Sequence, residues 1–450
     1  MTRVFQQLTA TMMVYTFMTI GWAEEIDPRV ERVRRDLGYY KQQDANSLIT
    51  EIQAMREEMR LSIKQQNNHI QQIEEELKRL QAVGTKPNSP QPATPSEAEP
   101  SPPISKSNNN VSVCYQGCDF QDLQQAVNAA PVGGLVTVAA EINGTCAVIN
   151  KPLRLLGLAG KDGTRAHLVG GVCIGKAPLV IAGPNISIEG FEISDIQVGD
   201  GNGACIRLDP GSRDISIKNL YCHDSQDGIL GGLAGRLTIE DSKLEANGFG
   251  DGSAHGIYLT HGNEALIRRS KILSTKNAGH SLKSGVQKLI VEDSTIAALN
   301  GHNSRALDAY AGGDITLRRN VIQQGPNSDN SEVIGLALEP SRLLPNGHSV
   351  LLEDNWILYD DDKRGGKILF RGKKLGPIVV RNNLMVGLNG IGMDGVKDTG
   401  NRWAETRKQV GLPPYDGTLE CLPIPGKSPM DSDFTKLPTA PGFSWKNIFQ

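Results

Sequence analysis

Three of the chain's eight histidines, His255, His261 and His280, fall between positions 255 and 280, with Tyr258 among them and Lys283 just beyond. Arg305 and Asp308 follow about 25 residues later. Together these residue types supply what proton transfer beside an anionic group needs: a base, an acid and a cation. Lys283 or His280 can be the base, and Tyr258 or His255 the acid. A lysine acts as a base only with a lowered pKa; a neighbouring Arg305 would lower it, while Asp308 would oppose that. Singly, each histidine or aspartate also fits a hydrogen-bonded corner of a folded chain. It is their concentration that suggests a site.

The elements that must gather these residues are short strands. From Ile188 to Met385 one phrase keeps returning: IEGFEI, IKNLYC, IEDSKL, IRRSKI, VEDSTI, LRRNVI, LEDNWI and VRNNLM, starting 29, 22, 28, 24, 26, 35 and 28 residues apart. Each copy opens on an aliphatic residue and carries Gly, Asn, Asp or Ser at its bend, which suits a strand turning a corner. A unit of that length cannot bury its own apolar face, so copies must stack, with strands roughly 4.8 Å apart. The predicted fold is all-β, a single-stranded right-handed parallel β-helix solenoid.

A second column lies between these phrases: ACIR from Ala204, DGIL from Asp227, HGIY from His255, HSLK from His280 and RALD from Arg305. If the third residue of each points into the coil, strand alternation sends the fourth outward. That predicts a surface ladder of Arg207, Leu230, Tyr258, Lys283 and Asp308. The first-place residues Asp227, His255, His280 and Arg305 share the inward parity but enter the strand, and are expected at the rim.

Composition agrees. The 450 residues include 49 glycines and only 5% aromatics, as tight corners and narrow coils require. A net charge of −3 gives no global field for nucleic acid or an anionic membrane. In chain order, residues 1–23 read as a secretory signal peptide, with an apolar run too short to span a bilayer. No transmembrane span is expected after its cleavage, and the protein is expected to be periplasmic or secreted. Ile49, Ile52, Met59, Ile63, Ile70, Ile73, Leu77 and Leu80 mark heptads in an N-terminal α-helical coiled coil over 27–82, with Arg56 and Gln66 in core slots. Paired isoleucines favour a homotrimer. A Pro/Ser-rich disordered linker spans 83–110. Residues 111–400 form the β-helix, opened by a capping helix with Phe120, Leu123, Ala126 and Val127 on one face, and 401–450 an irregular tail. The seven cysteines include two plausible pairs, Cys114 with Cys118 and Cys146 with Cys173, although buried free thiols would fit the second pair equally well. No cysteine or histidine spacing proposes a metal site.

The segments NGACIR, DGIL, HGIYL, GHSLKS, RALD and NVIQQGPNSDN make the region from Val111 to about Asn401 resemble the pectate-lyase-like superfamily of right-handed parallel β-helices, within it a group of bacterial exported proteins. That superfamily holds polysaccharide lyases, hydrolases, esterases, epimerases and binding proteins. The resemblance implies a polysaccharide partner, most simply an acidic one met by a lyase or C5-epimerase. In that reading Arg305, with Arg207 as a second partner, holds the substrate carboxylate, Asp308 orients Lys283, and Asp227 and Glu339 contribute to binding. A glycoside hydrolase would need paired carboxylates. Asp227 and Asp308 lie three coils apart, too far, whereas Glu339 can stack beside Asp308. The alternative is a non-catalytic glycan-binding or structural cell-envelope protein. No cofactor is expected: calcium is possible for such a fold, but Asp360, Asp361 and Asp362 read as solvated charge beside Lys363 and Arg364.

Overall fold

The computed structural model describes residues 110–441, apart from 140–141, 161, 251–252, 362–363 and 435. The chain separates into two units, Met1–Pro102 and Pro103–Gln450, and every described residue lies in the second. The expected signal peptide, coiled coil and almost all of the linker lie outside the described residues. Asn110, placed in the linker from sequence, instead begins the strand Asn110–Val113, which pairs with Leu135–Ala139.

The strands form two sheets, of 19 and 11 strands, whose named strands pair in parallel from one coil to the next. The repeated phrase is the corner between the sheets. Its third residue is Gly190, Asn219, Asp241, Arg269, Asp293, Arg319, Asp354 or Asn382, and each adopts a positive φ between 48° and 82°. Short polar side chains and glycine tolerate that left-handed turn; Arg269 and Arg319 adopt it at some steric cost. The fourth residue faces inward, and from Ser242 onward it joins a polar ladder. The amide of Ser270 donates to Ser294 Oγ at 3.1 Å, that of Ser294 to Asn320 Oδ1 at 3.0 Å, that of Asn320 to Asn355 Oδ1 at 2.9 Å and that of Asn355 to Asn383 Oδ1 at 2.9 Å. Buried corner amides are thus satisfied by the coil above.

Helix α1 (Leu123–Ala129) is capped by Asp122, which accepts from the Gln125 amide at 2.8 Å, and it buries Leu123, Ala126 and Val127. Beyond Asn401 the repeat continues one strand further than the sequence suggests, through Arg402–Ala404 against Leu384–Val386. The tail packs on the smaller sheet through Tyr415, Met430, Phe434 and Leu437, beside Leu358 and Leu384. Three disulfides form: Cys114–Cys118, Cys146–Cys173 and Cys205–Cys222. The last was not foreseen; it joins the two sheets. Cys421 is a buried free thiol.

One wall of the larger sheet carries the candidate site. Its strands, one per coil, are β1 (Ala204–Leu208), β2 (Asp227–Gly231), β3 (Ile257–Arg268), β4 (Leu282–Glu292), β5 (Leu307–Ala309), β6 (Glu332–Leu336) and β7 (Ile368–Gly372). Ile206, Ile229, Ile257, Leu282, Leu307, Ile334 and Phe370 form one buried column. In the alternate column stand Arg207, Leu230, Tyr258, Lys283, Asp308, Gly335 and Arg371, so the expected ladder is in register, but Leu230 and Asp308 are buried and not on the surface as expected.

Candidate active site

Lys283 stands at the centre of the ladder. Its ammonium lies 5.1 Å from the ring centroid of Tyr258 and 5.2 Å from that of Tyr310, a cation held between two aromatic rings. It pairs with Glu339 Oε1 at 3.0 Å. Glu339 Oε2 in turn meets Arg342 Nη1 at 3.0 Å, and the same Nη1 donates to the Tyr258 hydroxyl at 3.1 Å. Arg342 lies in the short 3-10 helix Pro340–Arg342, which follows β6 and brings a second cation over the wall. Tyr310 sits two residues past Asp308 and donates to the Thr260 carbonyl at 2.7 Å. Its burial, then the neighbouring Tyr258, hold the phenol above its ordinary pKa. Gly285 makes room for it, since any side chain there would collide with the Tyr310 hydroxyl.

Beside this cluster lies an imidazole and carboxylate pair. His280 Nε2 is 3.1 Å from Asp308 Oδ2. Asp308 therefore orients His280 and not Lys283, correcting the sequence assignment: Glu339, reaching in from beyond β6, takes the lysine instead. Against the cost of burial, the hydrogen bond and charge of His280 hold Asp308 below the usual carboxylate range. His280 Nδ1 and Asp308 Oδ1 are both buried with no hydrogen-bond partner. Unsatisfied buried polar atoms are costly and call for a reason. Gly335, the next rung after Asp308, leaves that oxygen its space, for a Cβ there would come within 2.7 Å of it.

Other expectations change. Asp227 and His255 are each only 1% exposed, and His280 9%, so these residues are not at the rim. Parity decides: sharing the inward side with the core aliphatics, they are buried with them. The His255 amide donates to Asp227 Oδ1 at 2.7 Å, and the His280 amide donates to His255 Nδ1 at 3.0 Å. Burial drives the His255 imidazole well below its ordinary pKa, with the charges of His280 and Lys283 adding to this, so it is a neutral acceptor and not an acid. Arg305 is mostly buried and bonded to Asn330 at 3.0 Å and Glu332 at 3.1 Å, which removes it as a carboxylate partner. Arg207 pairs with Asp209 at 3.1 Å. Glu339 does not stack beside Asp308, because Gly335 holds that register position. Asp360 is not solvated: its carboxylate pairs with the buried Arg407 at 2.6 Å.

Arg342 and Tyr310 were missed by sequence reasoning. Tyr310 could have been found by continuing the outward parity of β5 two residues past Asp308; Arg342 lies outside the repeat and carries no such signal. Along the same wall runs an open groove lined by Arg213, Leu233, His261, Asn263, Gln287 and Leu344.

The family model for the right handed beta helix region matches residues 179–334. The described coils have the right-handed parallel β-helix fold. The match agrees with the pectate-lyase-like superfamily that the repeats resemble. No curated protein matches the chain. Among solved structures, an alginate lyase from Paenibacillus sp. str. FPU-7 is 15% identical, over 66% of this β-helix chain and 99% of its own, with a TM-score of 0.43. Pectate lyase Pel9A is 15% identical over 72% of this chain and 87% of its own, with a TM-score of 0.44. A tailspike protein of Acinetobacter baumannii bacteriophage Fri1, a capsular polysaccharide depolymerase, is 10% identical over 67% of this chain and 60% of its own, with a TM-score of 0.38. Likeness at that level says nothing of this chain's activity. Among the described residues no helix is long and apolar enough to cross a membrane.

Proposed function

We propose that this β-helix is carbohydrate-active and works on an acidic polysaccharide, by β-elimination or C5 epimerisation of a uronate unit. The observation that carries this reading is the convergence of a phenol, Tyr258, a cation, Lys283, and an aspartate-held imidazole, His280, on adjoining rungs, with a second cation, Arg342, brought over them from beyond β6. The cations would neutralise the substrate carboxylate and so acidify its C5 proton. His280, whose Nδ1 is buried beneath the wall, would have to turn that nitrogen toward C5 to take the proton, and Tyr258 would donate one to the leaving C4 oxygen in elimination, or to the opposite face of C5 in epimerisation. The scheme calls on no cofactor, and calcium is not part of it. The groove beside the ladder would carry the flanking sugars.

The competing reading is a non-catalytic glycan-binding or structural envelope module. It is favoured by Glu339, which already satisfies both Lys283 and Arg342 without any ligand. Export fits the three disulfides, which persist in oxidising compartments. Trimerisation through the heptads would add avidity on a repeating polymer.

The test is a screen of uronate polymers with the wild type, Lys283→Ala and His280→Ala. New near-ultraviolet absorbance marks elimination, and a changed isomer ratio by NMR without absorbance marks epimerisation. Each substitution is expected to cut turnover by at least about a hundredfold. Polymer binding with neither product from the wild type would give the case to the binding module.

A further inference from the structure

The opposite sheet carries a second cluster that plays no part in this chemistry. His167 (strand Ala166–Val169), Glu192 (strand Phe191–Ser194) and His223 (strand Tyr221–His223) come from three successive coils. Strand alternation puts Leu168, Ile193 and Cys222 into the core, and these three side chains on the outer face. They converge on one oxygen: Glu192 Oε1 is 3.2 Å from His223 Nε2 and 3.8 Å from His167 Nε2. All three donor atoms lie within 4.8 Å of one another. Ligands held about 2.1 Å from a tetrahedral ion stand about 3.4 Å apart, so two of the spacings bracket the requirement.

The surroundings supply what such a site needs beyond its ligands. His223 Nδ1 is 2.9 Å from Asp224 Oδ2, which fixes the proton on Nδ1 and turns the Nε2 lone pair toward Glu192. Asp224 is itself held by Lys276 at 2.8 Å. Ser194 Oγ, which donates to Asp195 Oδ2 at 2.6 Å, lies 2.9 Å from the same His167 Nε2, a contact that an incoming ion would replace.

We propose that His167, Glu192 and His223 bind one divalent transition-metal ion of the zinc class, clamping three coils together. Two imidazoles and one carboxylate select such ions over calcium or magnesium, which take oxygen ligands, and three protein ligands leave a position for water. The cysteine and histidine spacing gave no warning, because the ligands recur at the coil period and not within one short motif.

Zn2+ titrated calorimetrically into the full chain, stripped with chelator, tests this. One equivalent per chain is expected, weakened at least about thirtyfold by either His167→Ala or His223→Ala, with His302→Ala as an unaffected control on the same surface type. Zn2+ should raise the Tm of the wild type and of His302→Ala but not of the two site variants, and Ca2+ should raise none. If an alanine variant fails to fold, Glu192→Gln, which keeps size and loses charge, takes its place. Zinc binding of wild-type strength and stoichiometry in any folded site variant would overturn the proposal, as would a wild type that binds no zinc.

Discussion

Two buried side chains, Asp227 and His255, should make stability depend on pH in opposite senses. His255 titrates near 6.5 when unfolded but stays neutral well below that when folded. On acidification through 6.5 the unfolded chain takes up the proton first, so this group's contribution is lost as pH falls, at up to about 1.4 kcal/mol per pH unit. His255→Asn, whose Oδ1 can still accept the His280 amide, should therefore gain on the wild type as pH drops from 6.5 to 5. Asp227 runs the other way. Burial raises its carboxyl from 3.8 to about 8, against the lowering effect of the His255 amide and then Arg207, so its contribution to stability declines as pH rises between those values. Asp227→Asn should gain on the wild type across that window and level off above it. Urea unfolding of the three proteins at pH 5, 6.5 and 8.5 checks both; parallel curves would mean that neither group is held in its uncharged form. At this scale the sequence located the ladder but not its pairings. Whether Lys283 meets Asp308 or Glu339 depends on a turn beyond β6 whose course no repeat specifies, and whether His280 lies at the rim or under it depends on where the strand begins.

The corner ladder is the device that keeps successive strands aligned, and it gives the next prediction. Asn355 accepts from the Asn320 amide at 2.9 Å, and its own side-chain amide donates to the Leu317 carbonyl at 2.8 Å and to Asn383 Oδ1 at 2.8 Å. Asn355→Ala orphans several of these groups at once and should cost about 3 kcal/mol, whereas Ser270→Ala, nearer the middle of the same column, should cost about 1 kcal/mol. Equal losses in thermal melts would show that the corner is held by strand packing alone. The elements themselves were the most legible part of the chain. The period, the left-handed third residue of each phrase and the alternation of the second column together dictate both sheets and their register, because each is a local rule repeated until it admits one stacking. The Arg402–Ala404 strand escaped notice for the same reason: it pairs and packs like the others, yet its sequence lacks the phrase. Cys205 and Cys222 escaped because pairing across the coil, unlike pairing between rungs, leaves no mark in the period.

In a solenoid each coil touches only its neighbours, so stability is a chain of interfaces and not a single core. Reinforcement is uneven along this one. All three disulfides lie between Cys114 and Cys222, while the later coils are braced instead by the tail packed against the smaller sheet. Cys205–Cys222 closes a sequence separation of 17, for which restricting the unfolded chain is worth about 3 kcal/mol. The double substitution Cys205→Ala with Cys222→Ala should cost about that much, and the cost should be local. Hydrogen exchange should quicken in β1, β2 and the strand Tyr221–His223 while the strands from Trp356 to Ala404 keep their protection. The alternative is that the coils unfold as one body, in which case exchange would accelerate equally along the whole stack. The measurement thus reads how far one inter-coil interface commits the next. A catalytic ladder spread over β3, β4 and β5, as proposed here, requires that commitment to hold through the middle of the stack even when its first coils loosen.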